Sequence, residues 1–283
     1  MKKSTRKILF ILAFALFFGI FAYSGIRIWQ YYSAAEEAGA SYESLQALRQ
    51  EATDPAAPTQ DLTPYENMSP EELFQAEEQP YTGVAPPGGE EVVYLLPEFE
   101  ELFLLNPDLV GWLTVPGTRI DYPVVQRPQE TDYYLYRNFQ RAYSPWGCVY
   151  AREACDVFAP SDQVVLYGHR MQDGSMFADL GYYESYDFWK EHKTLRFDTL
   201  RGRHEYEVVC VMRISASAGK YPYHRFTDAA DELEFYAFWA KCQEKAIYDT
   251  GADVRYGDKL LSLFTCEYSQ TNGRLVVIAR RIS

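Results

Sequence analysis

Three residues with complementary chemistry lie at the ends of strand-like runs in the C-terminal half of the chain. Cys266 closes the run Leu-Leu-Ser-Leu-Phe-Thr-Cys, Arg274 opens Arg-Leu-Val-Val-Ile-Ala, and His169 ends Val-Val-Leu-Tyr-Gly-His. The thiolate is the reactive form of cysteine and is favoured by nearby positive charge. An imidazolium at His169 can supply that charge and carry protons, whereas Arg274 acts only electrostatically. On neighbouring strand ends, the three groups predict acyl transfer through a thioester.

Taken one at a time, the same residue types have more ordinary interpretations. A cysteine at a strand end is commonly a small buried residue, and a histidine after glycine is commonly a loop residue. The other three histidines, His192, His204 and His224, are predicted to be surface or loop residues. No two histidines have the spacing of metal ligands, so the sequence implies neither a metal nor an organic cofactor.

Short β-type runs separated by Gly, Pro, Asn and Asp dominate the second half of the chain. Eight such runs predict a closed or nearly closed β-barrel, because closure removes exposed sheet edges. The predicted strands are 111–115, 120–125, 147–151, 163–167, 194–199, 203–214, 258–265 and 274–281.

A long helix is predicted just before the strand that carries the cysteine. Thr227 or Asp228 would cap its N-terminus, and Gly251 would end it. Its apolar residues at helical spacing are Leu233, Tyr236, Ala240 and Ile247. Shorter helices are predicted to begin at Pro97 and to cover 174–180 and 186–191.

The N-terminal region predicts a membrane anchor. The first 35 residues carry five basic residues and no acid, and residues 8–26 carry no charge. As a helix, this uncharged run spans about 28 Å, close to the hydrocarbon thickness of a bilayer. The positive-inside rule then predicts a cytoplasmic N-terminus, a single span and an extracellular remainder. A cleaved signal peptide, with a site at Ala22-Tyr-Ser24, is the alternative, and it exports the domain as well.

Acidic charge is concentrated in one segment of the chain. Residues 36–108 hold 17 Asp and Glu against one Arg, so the net charge of −13 belongs mainly to that segment. The lack of clustered basic residues argues against nucleic acid as a partner. Residues 33–50 have helical composition, and 51–91 are too polar to bury a core, which predicts a flexible spacer. The predicted parts are a basic cytoplasmic tail at 1–7, a transmembrane anchor at 8–28, an acidic extracellular spacer at 29–91 and a folded catalytic domain at 92–283.

Five cysteines leave at least one unpaired within the chain. Cys148 and Cys155 are close enough in sequence to pair, although a domain of this size needs no disulfide to build a core. Cys210 and Cys242 lie in a strand-like and a helix-like run, and both are predicted to be small buried residues.

Several linked phrases of the sequence resemble class B sortases. They are the strand-borne Thr-Cys with a downstream Arg, the phrase Tyr-Gly-His-Arg-Met-Gln-Asp-Gly-Ser-Met-Phe that begins at Tyr167, Asn-Pro-Asp-Leu-Val-Gly-Trp-Leu from Asn106, and Ile-Asp-Tyr-Pro-Val-Val-Gln from Ile120. The resemblance covers roughly residues 92–283. It implies a mainly β fold: an eight-stranded sortase-type β-barrel with an N-terminal helix and a long helix before the catalytic strand.

The resemblance also implies roles for individual residues. Cys266 would be the nucleophile, and His169 would protonate the leaving amine and then deprotonate the incoming one. Arg274 would hold the substrate carbonyl or stabilise the oxyanion, with the backbone N–H of residue 267 as a second donor. The residues implied in binding the substrate peptide are Tyr167, Phe264, Thr265 and Glu267.

The implied activity is transpeptidation outside the cell. A class B sortase cleaves a motif such as Asn-Pro-x-Thr-x after Thr in another exported protein. It passes the acyl group to a peptidoglycan cross-bridge or precursor amine, or to a pilin lysine, without a cofactor. Two departures stand out, since Tyr268 replaces an Asp found in some members and Phe264 replaces a frequent Ser. A thiol hydrolase that uses water and a non-catalytic sortase-like scaffold stay open as alternatives.

Overall fold

A computed structural model describes residues 3–53, 95–217, 219–269 and 272–283 of the chain. The chain divides into two compact units, Met1–Glu43 and Ser44–Ser283. From residue 54 onward the predicted spacer lies outside the described residues, as does the predicted domain boundary at residue 92.

The first unit is helical, and its helix, α1, covers Lys3–Thr53. By length and composition, α1 is the one helix among the described residues that could cross a membrane. Its large apolar side chains are exposed, from Phe10 at 73% to Tyr32 at 63%. A helix that is apolar all round needs an apolar environment. The helix is therefore a candidate single span, as predicted, although a signal sequence would share these features.

Eight strands close into a mixed barrel in the order β1-β2-β3-β4-β7-β8-β6-β5. The β2–β3 and β4–β7 pairs are parallel, and the other pairs are antiparallel. This architecture confirms the predicted fold, and each predicted strand corresponds to an observed one. The strands are β1 Leu109–Thr114, β2 Asp121–Val125, β3 Val149–Ala151, β4 Gln163–Tyr167, β5 Thr194–Thr199, β6 Glu205–Ser215, β7 Leu260–Glu267 and β8 Gly273–Arg281.

Short helical segments surround the barrel. The α-helices are α2 at Glu100–Leu105, α3 at Tyr186–Glu191 and α4 at Glu232–Lys245. The 3₁₀ helices are Pro97–Phe99, Tyr133–Tyr136, Ala178–Glu184 and Tyr223–Arg225. The helix predicted at 174–180 is thus a 3₁₀ helix that begins four residues later.

The long helix α4 is present, but its predicted cap and its predicted end are wrong. Asp231 caps it by accepting a hydrogen bond from the Glu234 backbone N–H at 2.9 Å. Asp228 lies before the first turn of the helix, and its carboxylate accepts instead from Ser161 Oγ and from the Asp162 backbone N–H. The helix ends at Lys245, before Ile247 and the predicted stop at Gly251. Its buried residues are Phe235, Phe238, Trp239 and Cys242, whereas Leu233 and Tyr236 are exposed.

All five cysteines are free thiols, so Cys148 and Cys155 do not pair. Cys210 and Cys242 are buried, as predicted. Burial raises the pKa of Cys155 to about 11 and that of Cys210 to about 12. These buried thiols therefore stay protonated at neutral pH, and Cys266 is the one cysteine that is only half-buried.

The last turns of α1 belong to the same unit as the barrel. Arg49 forms an ion pair with Asp198 of β5 at 2.5 Å, and its guanidinium lies over the rings of Phe99 and Trp112. Gln46 donates a hydrogen bond to the backbone oxygen of Asp121 at 2.8 Å. These contacts fix Ser44–Thr53 against β1, β2 and β5.

Candidate active site

A cleft of about 640 Å³ opens where β4 and β7 end and β8 begins. Of the seven residues predicted for the site, six line it: Tyr167, His169, Phe264, Thr265, Cys266 and Arg274. The structure therefore brings together residues that are up to 107 positions apart in the sequence.

The parallel pairing of β4 with β7 places the histidine beside the cysteine. Tyr167 is the register partner of Phe264, and the two rings lie 5.8 Å apart. The backbone N–H of Gly168 donates to the oxygen of Phe264, so the pairing continues past the end of β4. His169 and Cys266 each follow their partnered residue by two positions and therefore lie at the same level along the direction of the two strands.

The antiparallel pairing of β7 with β8 places the arginine opposite the cysteine. Cys266 is the direct register partner of Arg274, and directly paired residues project from the same face of a sheet. Arg274 also pairs with Ile214 of β6, so its backbone is held from both sides. Its Nη1 donates to the Gly273 oxygen at 2.8 Å. A fixed positive charge thus stands on the strand next to the thiol.

His169 is oriented by a segment that the sequence did not indicate. Its Nε2 lies 2.6 Å from the backbone oxygen of Leu135, and its ring lies 5.6 Å from that of Tyr136. Both residues line the cleft, and both belong to the 3₁₀ helix Tyr133–Tyr136, which follows β2. The backbone of His169 is fixed as well, because its oxygen accepts from the Phe177 N–H at 2.8 Å.

Glu267 is the predicted site residue that does not line the cleft. Its buried carboxylate accepts hydrogen bonds from the N–H and the hydroxyl of Ser269, both at 2.7 Å. Burial alone would raise the pKa of Glu267, but these hydrogen bonds and the charges of Arg213 and Arg170 together outweigh burial and lower the pKa. The side chain therefore shapes the turn after β7. Thr265, by contrast, has a buried hydroxyl with no hydrogen-bond partner among the described residues.

The other wall of the cleft comes from the segment between β6 and α4, which the sequence left unassigned. Lys220, Tyr221, His224 and Arg225 all line it. The prediction that His224 is a surface or loop residue missed this place in the cleft. Burial lowers the pKa of His224, and nearby arginine charges lower it further. The dense basic and aromatic composition of Gly-Lys-Tyr-Pro-Tyr-His-Arg was the available signal.

The remaining histidines lie away from the cleft. His192 stacks on Phe188 at 4.1 Å between ring centroids, and His204 lies beside Thr199 at the end of β5. Within the described ranges, no group of three or more His, Cys, Asp or Glu residues could hold a metal ion.

The sequence and the fold match known proteins. A model of the sortase domain matches residues 113–282, and the chain belongs to the sortase family, whose members are cysteine transpeptidases. It is 30% identical to sortase B of Staphylococcus aureus over 191 residues, which cover 67% of this chain and 76% of that protein.

Solved structures agree with this assignment. Sortase B from Bacillus anthracis in complex with AAEK1 is 32% identical, with a TM-score of 0.60, over 75% of this chain and 93% of that one. A Staphylococcus aureus sortase B–substrate complex is 25% identical, with a TM-score of 0.67, over 88% and 98% of the two chains.

Proposed function

We propose that this chain is a membrane-anchored class B sortase that uses Cys266, His169 and Arg274. The observation that carries the proposal is the strand register, which sets Cys266 of β7 opposite Arg274 of β8 and level with His169 after β4. The fold also matches sortase B structures over 93% and 98% of those chains, which supports the proposal.

The first half of the reaction would form the thioester. The Cys266 thiolate attacks the carbonyl carbon of a Thr in the sorting motif, and negative charge develops on the carbonyl oxygen. Arg274 donates to that oxygen, and the loss of one such donor typically costs about 3 kcal/mol in the barrier. His169 protonates the departing amine, which leaves the acyl group on sulfur.

The second half would transfer the acyl group. An amine of the peptidoglycan cross-bridge or its precursor, or a pilin lysine, enters the cleft and gives its proton to His169. The amine nitrogen then attacks the thioester, and the Cys266 thiolate leaves. Tyr167, Phe264 and Thr265 line the cleft in which the sorting peptide would lie.

The N-terminal part would act as the anchor. In this scheme residues 1–7 stay in the cytoplasm, 8–28 span the membrane, 29–91 separate the membrane from the enzyme, and 92–283 form the catalytic domain outside the cell. The apolar exposed surface of α1 and the basic residues before its uncharged run at 8–26 support this orientation. Accessibility of an N-terminal tag from only the cytoplasmic side would test it.

The test of the activity is the covalent intermediate. The full chain in detergent is mixed with an Asn-Pro-x-Thr-x peptide, and intact mass is measured. We expect an adduct equal to the peptide portion ending at Thr, which disappears in Cys266→Ala and persists in Cys148→Ala. Added amine should convert the adduct to a transpeptidation product. Release of free acid at an equal rate with and without amine would favour the hydrolase, and the absence of any adduct would favour the scaffold.

A further inference from the structure

One wall of the cleft carries positive charges that lack carboxylate partners. Lys220 and Arg225 come from the segment between β6 and α4, and Arg274 comes from β8. In the part of the chain that the structure describes, none of the three forms an ion pair within 4.0 Å. Asp132, a carboxylate that lines the cleft, already accepts from Tyr150 Oη at 2.7 Å. In a chain with net charge −13, this cluster favours an anionic ligand.

Arg152, next to this wall, adds to its positive charge. Its Nη1 is buried and has no hydrogen-bond partner among the described residues. A buried polar group without a partner is costly, and more so when it is charged. Besides burial, the charges of Arg152, Arg225 and Arg274 lower the pKa of the cleft residue His224, with Glu153 acting in the opposite direction. The cationic groups are therefore close enough to act together.

The chain itself carries a peptide with matching features. Residues 79–83, Gln-Pro-Tyr-Thr-Gly, have a proline two positions before a threonine, as in the motif Asn-Pro-x-Thr-x, and Glu77 and Glu78 directly precede them. Residues 54–94 hold nine acidic residues and no lysine or arginine. Another Pro-x-Thr ends at Thr118, but it lies in the turn between β1 and β2, where its hydroxyl is hydrogen-bonded.

We propose that the cleft recognises residues 77–83 of this chain as a substrate-like peptide. Glu77 and Glu78 would lie against Lys220 and Arg225, and Thr82 would lie at Cys266. The inference rests on the proposed function, which supplies the preference for Pro-x-Thr. The peptide competes with sorting motifs of other proteins for the same cleft.

The length of the chain permits this binding. Eleven residues separate Gly83 from Leu95, the first described residue of the barrel unit after the gap, and an extended connection between the two spans about 40 Å. A domain of about 190 residues has a radius of gyration of roughly 16 Å. We assign the peptide to the cleft of its own molecule, and dilution of the enzyme tests this assignment. Competition within one molecule is independent of enzyme concentration, whereas competition between molecules fades on dilution.

The first test compares two double variants of the full chain in detergent. Pro80→Ala/Thr82→Ala removes the motif, and Pro58→Ala/Thr59→Ala changes the same residue types elsewhere in the segment. With an added Asn-Pro-x-Thr-x peptide, we expect KM to fall at least threefold in the first variant with kcat unchanged, and neither to change in the second. Glu77→Gln/Glu78→Gln should lower KM by a smaller factor than Pro80→Ala/Thr82→Ala does. The difference in KM between this charge variant and the wild-type chain should disappear at high salt. Equal KM values in the two variants would overturn the inference.

The second test measures binding and needs no turnover, so it remains informative if the proposed activity fails. A fluorescent peptide of residues 75–86 is titrated into the Cys266→Ala chain. We expect it to bind at least threefold more tightly at low salt than the same peptide with E77Q/E78Q. This preference should shrink in Arg225→Gln and persist in Arg196→Gln, which removes an exposed charge of β5 outside the cleft.

Two further outcomes show whether the cationic residues of the cleft bind a phosphate ligand or the chain's own peptide. Equal affinity of the two peptides, with displacement of both by inorganic pyrophosphate, would assign the cations to a phosphate ligand and overturn the inference. Turnover of the chain's own peptide would support it. In that case the Cys266 thiolate attacks the Thr82 carbonyl, the Thr82–Gly83 bond breaks, and the Gly83 nitrogen takes the proton. A fragment that begins at Gly83 would then appear in the wild-type chain and be absent from Cys266→Ala.

Discussion

The Nε2 atom of His169 lies 2.6 Å from the backbone oxygen of Leu135. A carbonyl oxygen only accepts hydrogen bonds, so Nε2 carries the hydrogen and Nδ1 is left as the nitrogen that exchanges a proton. A backbone group thus selects the tautomer of the proposed acid–base residue. If the oxygen of Leu135 moves, the proton-carrying nitrogen is no longer defined.

Gly147→Ala should disturb this contact without touching the cleft. A Cβ at Gly147, where φ is +62°, would lie 2.6 Å from the Leu135 oxygen, too close for any real contact. We expect kcat for a sorting peptide to fall about tenfold or more, with a smaller change in KM, because misplacing a reacting group mainly slows the chemical step. The ¹⁵N signals of His169, assigned with His169→Asn, should change from one tautomer to a mixture.

Gly251→Ala is the matched control for this change. Gly251 also has a positive φ, +69°, but a Cβ there would meet nothing within 4 Å. Both variants therefore place an alanine at positive φ and carry the same kind of backbone strain, but only Gly147→Ala brings a Cβ against the Leu135 oxygen. If both variants lost activity equally, or if the His169 signals stayed unchanged in Gly147→Ala, backbone strain rather than the lost orientation would explain the result.

The second prediction concerns the geometry of Arg274. Arg274→Lys keeps the charge opposite Cys266 but replaces a planar fork of donors with a compact ammonium. We expect kcat/KM to fall about a hundredfold, as for the loss of an oxyanion donor. Arg280→Lys is the control on the same strand, where Arg280 contacts Glu207 and Asp258 instead of the cleft. A loss of less than about threefold in Arg274→Lys would show that only general positive potential is needed.

The strands and the central residues of the site could be predicted from sequence for a physical reason. β-Branched and aromatic runs bounded by turn residues are local signals, and the pairing of β4, β7 and β8 then brings residues at their ends together. Cys266 and Arg274 flank a short turn, so their proximity followed from the hairpin alone. His169 needed the parallel pairing of β4 with β7, which the family resemblance supplied.

The parts that could not be predicted depend on tertiary contacts. The orientation of His169 comes from the backbone oxygen of Leu135. Every residue type has this oxygen, so the sequence cannot indicate which residue will supply it. Asp228 and Asp231 are equally good helix caps in sequence, and only the partners Ser161 and Asp162 decide between them. Glu267 directly follows the proposed nucleophile, but its carboxylate accepts hydrogen bonds from Ser269 two residues later and does not line the cleft.

The third prediction concerns thiol reactivity and alkaline pH. Because Cys155 and Cys210 have raised pKa values of about 11 and 12, a thiol reagent at pH 8 should label only Cys266 in the folded chain. All five should react after unfolding.

The raised pKa of Cys210 also predicts a loss of stability at alkaline pH. An unfolded thiol ionises at about pH 8.5, so the protonated Cys210 thiol contributes fully to folding stability below that pH. This contribution is lost as the pH rises toward 12. Cys210→Ala should therefore flatten the alkaline loss of stability, and an unchanged slope would contradict this.

The last prediction concerns the docked end of α1. Asp198 is almost fully buried, and its carboxylate is paired with Arg49, whose side chain is 15% exposed. Arg49→Met keeps the apolar contact with Phe99 and Trp112 but leaves the carboxylate without its cationic partner. Breaking a buried pair on one side is strongly destabilising, so we expect the free energy of unfolding of the barrel unit to fall by about 3 kcal/mol. Urea unfolding of the full chain in detergent, followed by near-ultraviolet circular dichroism, measures the change.

Two further variants separate the loss of this ion pair from the loss of any surface charge. Arg255→Met removes a cation whose pair with Asp253 is exposed on both sides, and it should change stability little. Asp198→Asn in the Arg49→Met background should recover part of the loss, since a neutral amide is less costly to bury than an unpaired carboxylate. If Arg49→Met destabilised the barrel no more than Arg255→Met did, or if Asp198→Asn gave no recovery, the ion pair would not be what holds Ser44–Thr53 against the barrel. The helix would then be retained by its apolar contacts and by the hydrogen bond from Gln46 to Asp121.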